Sequence, residues 1–216
     1  MHPLYDGVID HPHSETTMTR ILHGTHLSGH THRVLLFLHL LDLPCEFADS
    51  PAAVRATPAF RALNPLGQIP VLQDGDVVLA DSTAILVYLA KRYAPGSAWL
   101  PEDPVGAARV QRWLSQAAGE IMFGPAAARV SARFYDTGVP AALSQALAAR
   151  VLGLMEGELA ASDWLAGAVP TIADIACYSY IAHAPEGGIT LEPYPRVQAW
   201  IARVQALPGF VPMPRE

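Results

Sequence analysis

Leu63-Asn64-Pro65-Leu66-Gly67-Gln68-Ile69-Pro70-Val71-Leu72, with Asp81-Ser82-Thr83-Ala84-Ile85 close behind, reads as a turn entering an apolar strand and then the start of a helix. Proline has no N–H to give a ladder, so Pro70 belongs at a strand start, an edge or a bulge. A cis bond at Ile69–Pro70 would turn the chain and leave the N–H and C=O of Ile69 able to pair with something extended. Asp81 or Ser82 is a good N-cap, and Ile85, Tyr88 and Leu89 follow at helical spacing. Free N–H groups and a hydroxyl at that helix end form a site for a small carboxylate. A backbone edge beside a carboxylate pocket suits a short peptide.

Pro70–Leu72 and Val77–Leu79 read as a hairpin around Asp74-Gly75-Asp76. Upstream lie a short strand at Thr19–His23, a loop at Gly24–His32 and an apolar helix at Val34–Leu41. The cap of that helix is expected near Ser28, and Leu43-Pro44 stops it. A strand at Cys45–Ala48 and a weak Ala-rich helix at Pro51–Leu63 follow, and Ser82–Tyr93 is a helix. The order is βαβαββα, a compact mixed α/β unit. Pro95, Gly96, Pro101 and Pro104 then break the pattern and mark a domain linker.

Beyond it only helices are expected. Val105 to about Met122 carries Val110, Trp113, Leu114 and Ala117 on one face, and Pro125–Phe134 continues helical. Pro140–Ala160 is expected to turn Leu143, Leu147, Val151 and Leu154 inward. Thr171–His183 and Pro195–Leu207 complete the set, the last aligning Val197, Trp200, Ile201 and Val204. Thr171 and Asp174 form a capping box, a structural pairing and not a catalytic one. The expected division is an extension or tag at 1–17, a mixed domain at 18–94, a linker at 95–104 and an all-helical domain at 105–216.

Half of the 216 residues are apolar (51%) and few are charged (16%), which suits a packed core and excludes a disordered chain. No basic stripe points to nucleic acid, and no apolar run is long enough to span a bilayer. Cys45 and Cys177 are far apart, which suggests two reduced structural thiols in a cytoplasmic protein. Residues 1–17 lack the basic and apolar regions of a secretory signal. His23, His26, His30, His32 and His39 crowd one region, but nothing in their pattern supplies a metal-ligand set, and no metal is expected. The G-x-S-x-G elbow of a serine hydrolase is missing around Ser28.

From Met18 to Met213 the chain resembles the cytosolic glutathione transferases, in particular bacterial Ser-type (theta/phi-like) members. The matching pieces are Leu22-His23-Gly24 with Leu27-Ser28-Gly29, Asn64 to Leu72, Asp81 to Ile85, and Thr171-Ile172-Ala173-Asp174-Ile175. Glu186-Gly187-Gly188-Ile189 and Tyr194-Pro195 to Leu207-Pro208-Gly209-Phe210 extend the match. Each motif alone is weak to moderate; their order and spacing together are specific. The resemblance implies a thioredoxin-like N-terminal domain, an all-helical C-terminal domain and a two-fold homodimer.

The roles that the resemblance implies are these. Pro70 matches the cis-proline, and the Ile69 main chain pairs with the cysteinyl part of glutathione. Asp81 and Ser82 match the pair holding the γ-glutamyl end; the family more often has Glu at the first, and Asp is one methylene shorter. Gln68 sits where a side chain touches the peptide, and Arg55 falls where relatives carry His or Lys against the glycine carboxylate. Ser28 matches the catalytic serine, donating a hydrogen bond to the thiolate without attacking anything itself. By itself Ser28 reads as a plain N-cap. Thr25 is the competing hydroxyl, and His30 or His32 borders the thiol. No Cys occupies this loop, so mixed-disulfide chemistry is not expected. A small apolar electrophile is expected between the domains, near Trp113, Met122, Phe123 and Arg129; for Trp113 the core is the stronger reading. Glutathione is a co-substrate, with no permanently bound cofactor. The alternatives are a non-catalytic ligand carrier or interaction subunit on the same fold, and a glutathione-dependent peroxidase or reductase.

Overall fold

Arg20 to Pro214 are described in the computed structural model of this chain; the expected extension at 1–17 lies outside the described residues. The first half is a four-stranded sheet in the order β2-β1-β3-β4. Strand β1 (Arg20–Gly24) runs parallel to β2 (Glu46–Asp49) and antiparallel to β3 (Val71–Asp74), and β3 is antiparallel to β4 (Val77–Ala80). Leu22 faces Leu72 at the centre of the sheet, and both are fully buried. A parallel pair needs a crossover, which α1 (Gly29–Leu40) supplies. The hairpin closes through Gly75 at φ 59°, a backbone region that glycine enters at no steric cost. With α4 (Ser82–Tyr93) the order is βαβαββα, a thioredoxin-like domain.

Helix α1 begins earlier than its apolar pattern suggests. Ser28 caps it, accepting from the Thr31 N–H, so Gly29 to His32 form a helical turn and not loop. That turn looks polar in sequence but is buried. His32 Nδ1 lies 2.8 Å from Ser179 Oγ, and His32 Nε2 donates to the Val211 carbonyl at 2.9 Å. The expected helix at Pro51–Leu63 is two short ones, α2 (Ala52–Arg55) and α3 (Pro58–Leu63). Thr57 is extended before Pro58 and caps α3 by accepting from Phe60.

The second half is all helical. Asp103 caps α5 (Pro104–Ala118), and Val110, Trp113, Leu114 and Ala117 face its core. Gly119 ends this helix short of the expected Met122. A π-helical turn, Met122–Ala126, carries Pro125 inside it and leads into α6 (Ala127–Arg133). Proline has no N–H to give the i−4 carbonyl, and this turn has the wider spacing typical of π segments. In α7 (Ala141–Glu158) the buried stripe is Ser144, Ala148, Val151, Leu152 and Met155, while Leu143 is 48% exposed. Of the four residues expected inward, Val151 is buried, Leu147 and Leu154 are half-buried, and Leu143 alone is exposed. The π turn packs directly on α7: a Cβ on Gly124 would sit 2.8 Å from the Ala148 backbone N and 3.2 Å from Leu147 Cβ, so glycine is needed there.

Helix α8 (Ile172–Ala182) runs through the centre, packed against α1, α4, α5 and α9 (Pro195–Gln205). Thr171 accepts from Ala173 N–H, and Asp174 accepts from Thr171 N–H at 2.9 Å. The other Asp174 oxygen accepts from Leu165 N–H (3.0 Å) and Trp200 Nε1–H (2.9 Å), so this fully buried carboxylate ties α8, α9 and the preceding loop together. Burial pushes the Asp174 carboxyl above its ordinary range, against the pull of those three donors and of Thr171 Oγ1–H at 3.2 Å.

Candidate functional site

A cavity of about 690 Å³ lies between the two halves. Its first wall comes from the end of β1 and the start of α1, from the Asn64–Pro70 turn and from the N-terminus of α4. Ser28, Arg55, Gln68, Ile69, Pro70, Asp81 and Ser82 all line it. Its second wall is helical: Ala118, Met122, Phe123, Ala126, Ala127, Arg129, Val130, Phe134 and Val139, with Tyr180 of α8.

The first wall is built from local chemistry. The Thr25–Ser28 turn closes through Ser28 N–H donating to the Thr25 carbonyl at 3.1 Å. Ser28 Oγ then accepts from Thr31 N–H at 3.3 Å. A hydroxyl used as an N-cap acceptor keeps its own hydrogen, so Ser28 still has a donor to offer. Thr25 lines the same cavity as the alternative hydroxyl. The next residue is Gly29, where a Cβ would stand 2.7 Å from the Tyr180 ring, so only glycine lets α1 lie this close to α8.

The Asn64–Pro70 turn is braced from inside. Asn64 Nδ2 donates to the Gln68 carbonyl (2.9 Å), and Asn64 Oδ1 accepts from Leu66 N–H (3.1 Å). Arg55 Nη1 donates to the Gly67 carbonyl at 3.4 Å. The Ile69–Pro70 peptide is cis, and the ladder begins only at Val71, so the Ile69 main chain lies beyond the paired strand. Asp81, at φ 74°, caps α4: its Oδ1 accepts from Thr83 N–H (2.8 Å), Thr83 Oγ1–H (2.6 Å) and Ala84 N–H (2.9 Å). Those hydrogen bonds lower the Asp81 carboxyl below its ordinary value against the opposing effect of burial, so it stays ionised.

Two further residues adjoin Ser82: His30, expected only to border the thiol, and Arg33, for which the motifs carry no expectation. Arg33, 1% exposed, donates from Nη1 to His30 Nδ1 (3.0 Å) and to Ser82 Oγ (3.3 Å). Arginine only donates, so His30 Nδ1 accepts and its proton sits on Nε2, which lies 3.2 Å from Met122 Sδ. Burial, then the Arg33 charge, pull the His30 imidazole down to about 3, so it is neutral at physiological pH. His30 thereby joins the N-terminus of α4 to the π turn. The available signal was the Ser28 cap, which implies that residues 29–33 form one helical turn with His30 and Arg33 on a common side.

Of the two readings of Trp113, pocket and core, the structure bears out the core, the stronger one. That ring is 1% exposed in the helical core and does not line the cavity, because its α5 face meets α8. Met122 and Phe123 are on the wall and partly exposed. Arg129 is there too, but 2% exposed, with Nε–H donating to Glu186 Oε2 at 2.7 Å and Nη1–H to the Leu27 carbonyl at 3.0 Å. Its charge is therefore balanced within the protein. Among the described residues no cluster of His, Cys, Asp and Glu could hold a metal ion, and no helix is long and apolar enough to cross a membrane.

Residues 22–97 match the family profile for the glutathione S-transferase N-terminal domain, and residues 140–208 match that for the glutathione S-transferase C-terminal domain. The chain is 35% identical over 198 residues to the glutathione S-transferase-like protein tpcF of Aspergillus fumigatus, covering 82% of this chain and 87% of that protein. A glutathione S-transferase crystal structure from Pseudomonas fluorescens superposes with a TM-score of 0.83 at 35% identity, covering 91% of this chain and 99% of that one. A glutathione transferase homologue from Drosophila mojavensis, solved with bound glutathione, gives a TM-score of 0.77 at 27% identity, covering 88% and 89%. With both halves matched in order and the cleft between them intact, this chain belongs to the glutathione S-transferase family, which supports a glutathione-binding, transferase-like function.

Proposed function

We propose that this protein is a Ser-type, theta/phi-like glutathione transferase that activates the thiol of glutathione for attack on a small apolar electrophile. The observation that carries this is the convergence of Ser28, the Ile69 main chain and the Asp81–Ser82 helix end on one cavity. Glutathione lies with its cysteinyl backbone along Ile69 and its γ-glutamyl carboxylate at the N-terminus of α4, where N–H groups and the Ser82 hydroxyl receive it. Arg33, beneath Ser82, adds positive charge there. The Asp81 carboxylate attracts the ligand's ammonium group. Gln68 touches the peptide, and Arg55 turns from the Gly67 carbonyl to the glycine carboxylate.

A free thiol titrates near 8.5, so a small minority is thiolate at neutral pH, and thiolate is the nucleophile. Lowering that value by about two units requires roughly 2.7 kcal/mol of differential stabilisation. A hydrogen bond from Ser28 to a charged sulfur contributes about 1.5–3 kcal/mol, and the N-terminal end of α1 adds up to about 1 kcal/mol. The two together are of the required size. The thiol proton leaves to solvent, and the sulfur forms a bond to an electrophilic carbon seated against Met122, Phe123 and Phe134. A leaving group departs with its electron pair, or a proton is taken up on addition.

We also read the protein as a cytoplasmic homodimer with no permanently bound cofactor. The test is conjugation of glutathione to a generic aryl halide, with Ser28→Ala alongside. The reading expects activity that Ser28→Ala loses while still binding glutathione resin. A wild-type protein that neither binds the resin nor conjugates would favour a non-catalytic carrier on the same fold.

A further inference from the structure

We infer that Arg129 and Glu186 form a clamp, built by the helical half, that positions the Ser28 hydroxyl in the other half. This rests on the reading of Ser28 as the thiolate donor. Arg129 lines the cavity, yet its side chain is buried and its donors turn into the protein: Nε–H to Glu186 Oε2 at 2.7 Å, Nη1–H to the Leu27 carbonyl at 3.0 Å. The Leu27 carbonyl belongs to the peptide unit that ends at Ser28 N. On the far side of that unit, Ser28 N–H donates to the Thr25 carbonyl at 3.1 Å. Both polar groups of one peptide plane are therefore held, one by its own turn and one by Arg129. That plane fixes the Ser28 N–Cα axis, the His32 N–H holds the Ser28 carbonyl on the other side at 2.9 Å, and between them they set the Cα–Cβ direction, with the Thr31 N–H orienting Oγ.

Glu186 is itself placed by backbone packing. It sits in the 3₁₀ turn Ala184–Gly187, and a Cβ on Gly187 would come within 2.5 Å of the Arg129 backbone N. Glycine there seats the turn directly on α6. Glu186 Oε1 also lies 3.9 Å from His183 Nε2. A carboxylate held on a bidentate-capable guanidinium fixes the fork in a way a lysine ammonium does not. The clamp thus makes Ser28 geometry depend on correct docking of the two halves. Arg129 is a positioning residue, and its positive charge, neutralised by Glu186, is not a substrate-binding cation.

The test is the pKa of the bound glutathione thiol, followed by thiolate ultraviolet absorbance, in wild type, Ser28→Ala and the double variant Arg129→Met/Glu186→Gln. The double variant avoids leaving a buried carboxylate without its partner. The expected result is a bound-thiol pKa raised by about one unit, with glutathione Kd within about twofold of wild type. Arg129→Lys, which keeps a cation against Glu186 but no second fixed donor for Leu27, gives the same readout if the double variant does not fold; its expected shift has the same sign. An unchanged thiol pKa in a folded variant overturns the inference, as does a raised KM for the electrophile at unchanged thiol pKa, which would make Arg129 a substrate contact. A wild-type protein whose bound thiol titrates like free glutathione, or a Ser28→Ala protein identical to wild type, overturns instead the reading of Ser28.

Discussion

The two walls of the cleft are made of different material. The wall on the sheet side consists of turns, caps and main-chain groups: the Thr25–Ser28 turn, the Asn64-braced loop and the Asp81 cap of α4. The facing wall consists mostly of apolar side chains presented by a π turn and α6. Turns and caps are short-range chemistry, so a few residues of sequence define them. A helical wall depends on which face a helix turns inward, and distant packing sets that. Under the proposed function the first wall receives one invariant peptide ligand and the second a variable apolar partner, since apolar contacts discriminate weakly among shapes.

If that division holds, damage to the first wall should hurt the chemistry most. Ser28→Ala should lower kcat for thiol addition by about 100-fold, the scale of losing one donor to a developing anion, with the glutathione KM little changed. Steady-state kinetics with glutathione varied would separate the two constants. Ser82→Ala should act the opposite way. It removes a hydroxyl that Arg33 and His30 also engage, and should raise the glutathione KM by about tenfold with a smaller change in kcat. A change in kcat alone would break the assignment of this helix end to binding.

Next come effects on the frame that holds the walls together. Asp174→Ala leaves Trp200 Nε1–H and the Leu165 and Thr171 N–H groups without their acceptor, and should cost about 2–4 kcal/mol, read by urea unfolding. Acid should loosen the junction between the halves. Burial chiefly, with His183 adding to it, pulls His32 down to about 4, against the Val211 carbonyl that favours the charged form. The unfolded state then binds the extra proton between about 4 and 6.5, so stability is complete above about 6.5 and is lost as pH falls toward 4. The His32 share is roughly 3 kcal/mol at its largest, and His32→Gln should flatten that part of a stability–pH curve.

The smallest effect is expected on the second wall. Phe123→Ala should alter the KM of an aryl electrophile by about threefold to tenfold, the scale of partial loss of an apolar contact, and leave glutathione KM unchanged. A large change in glutathione KM from this substitution would erase the distinction between the walls.

The same distinction explains what could be read from the chain before its structure. The thioredoxin-like order, the N-cap near Ser28, the hairpin and α4 were all legible, because Gly75, Asp81 and the Thr171–Asp174 box act over a few residues. The first turn of α1 was not, because its buried residues are polar and find partners on α8 and at Val211. On α7 the apolar pattern finds Val151 but not Ser144 and Ala148, whose burial comes from packing and not from hydrophobicity, and it places the exposed Leu143 inward. Trp113 reads as core more strongly than as pocket because of its place on the apolar face of α5, and packing of that face against α8 is what keeps it out of the cavity. Arg129 lines the cavity, but its tie to Leu27 across 102 residues has no local signature.

Which donor meets the glutathione sulfur decides between Ser28 and its neighbours, and a crystal structure of the protein with glutathione bound reads this directly. The prediction is a sulfur within hydrogen-bond distance of Ser28 Oγ, with the cysteinyl main chain paired to Ile69 and the γ-glutamyl carboxylate at Ser82. A sulfur whose nearest donor is Thr25 or His30, with the Ser28 hydroxyl turned away from it, would contradict the account.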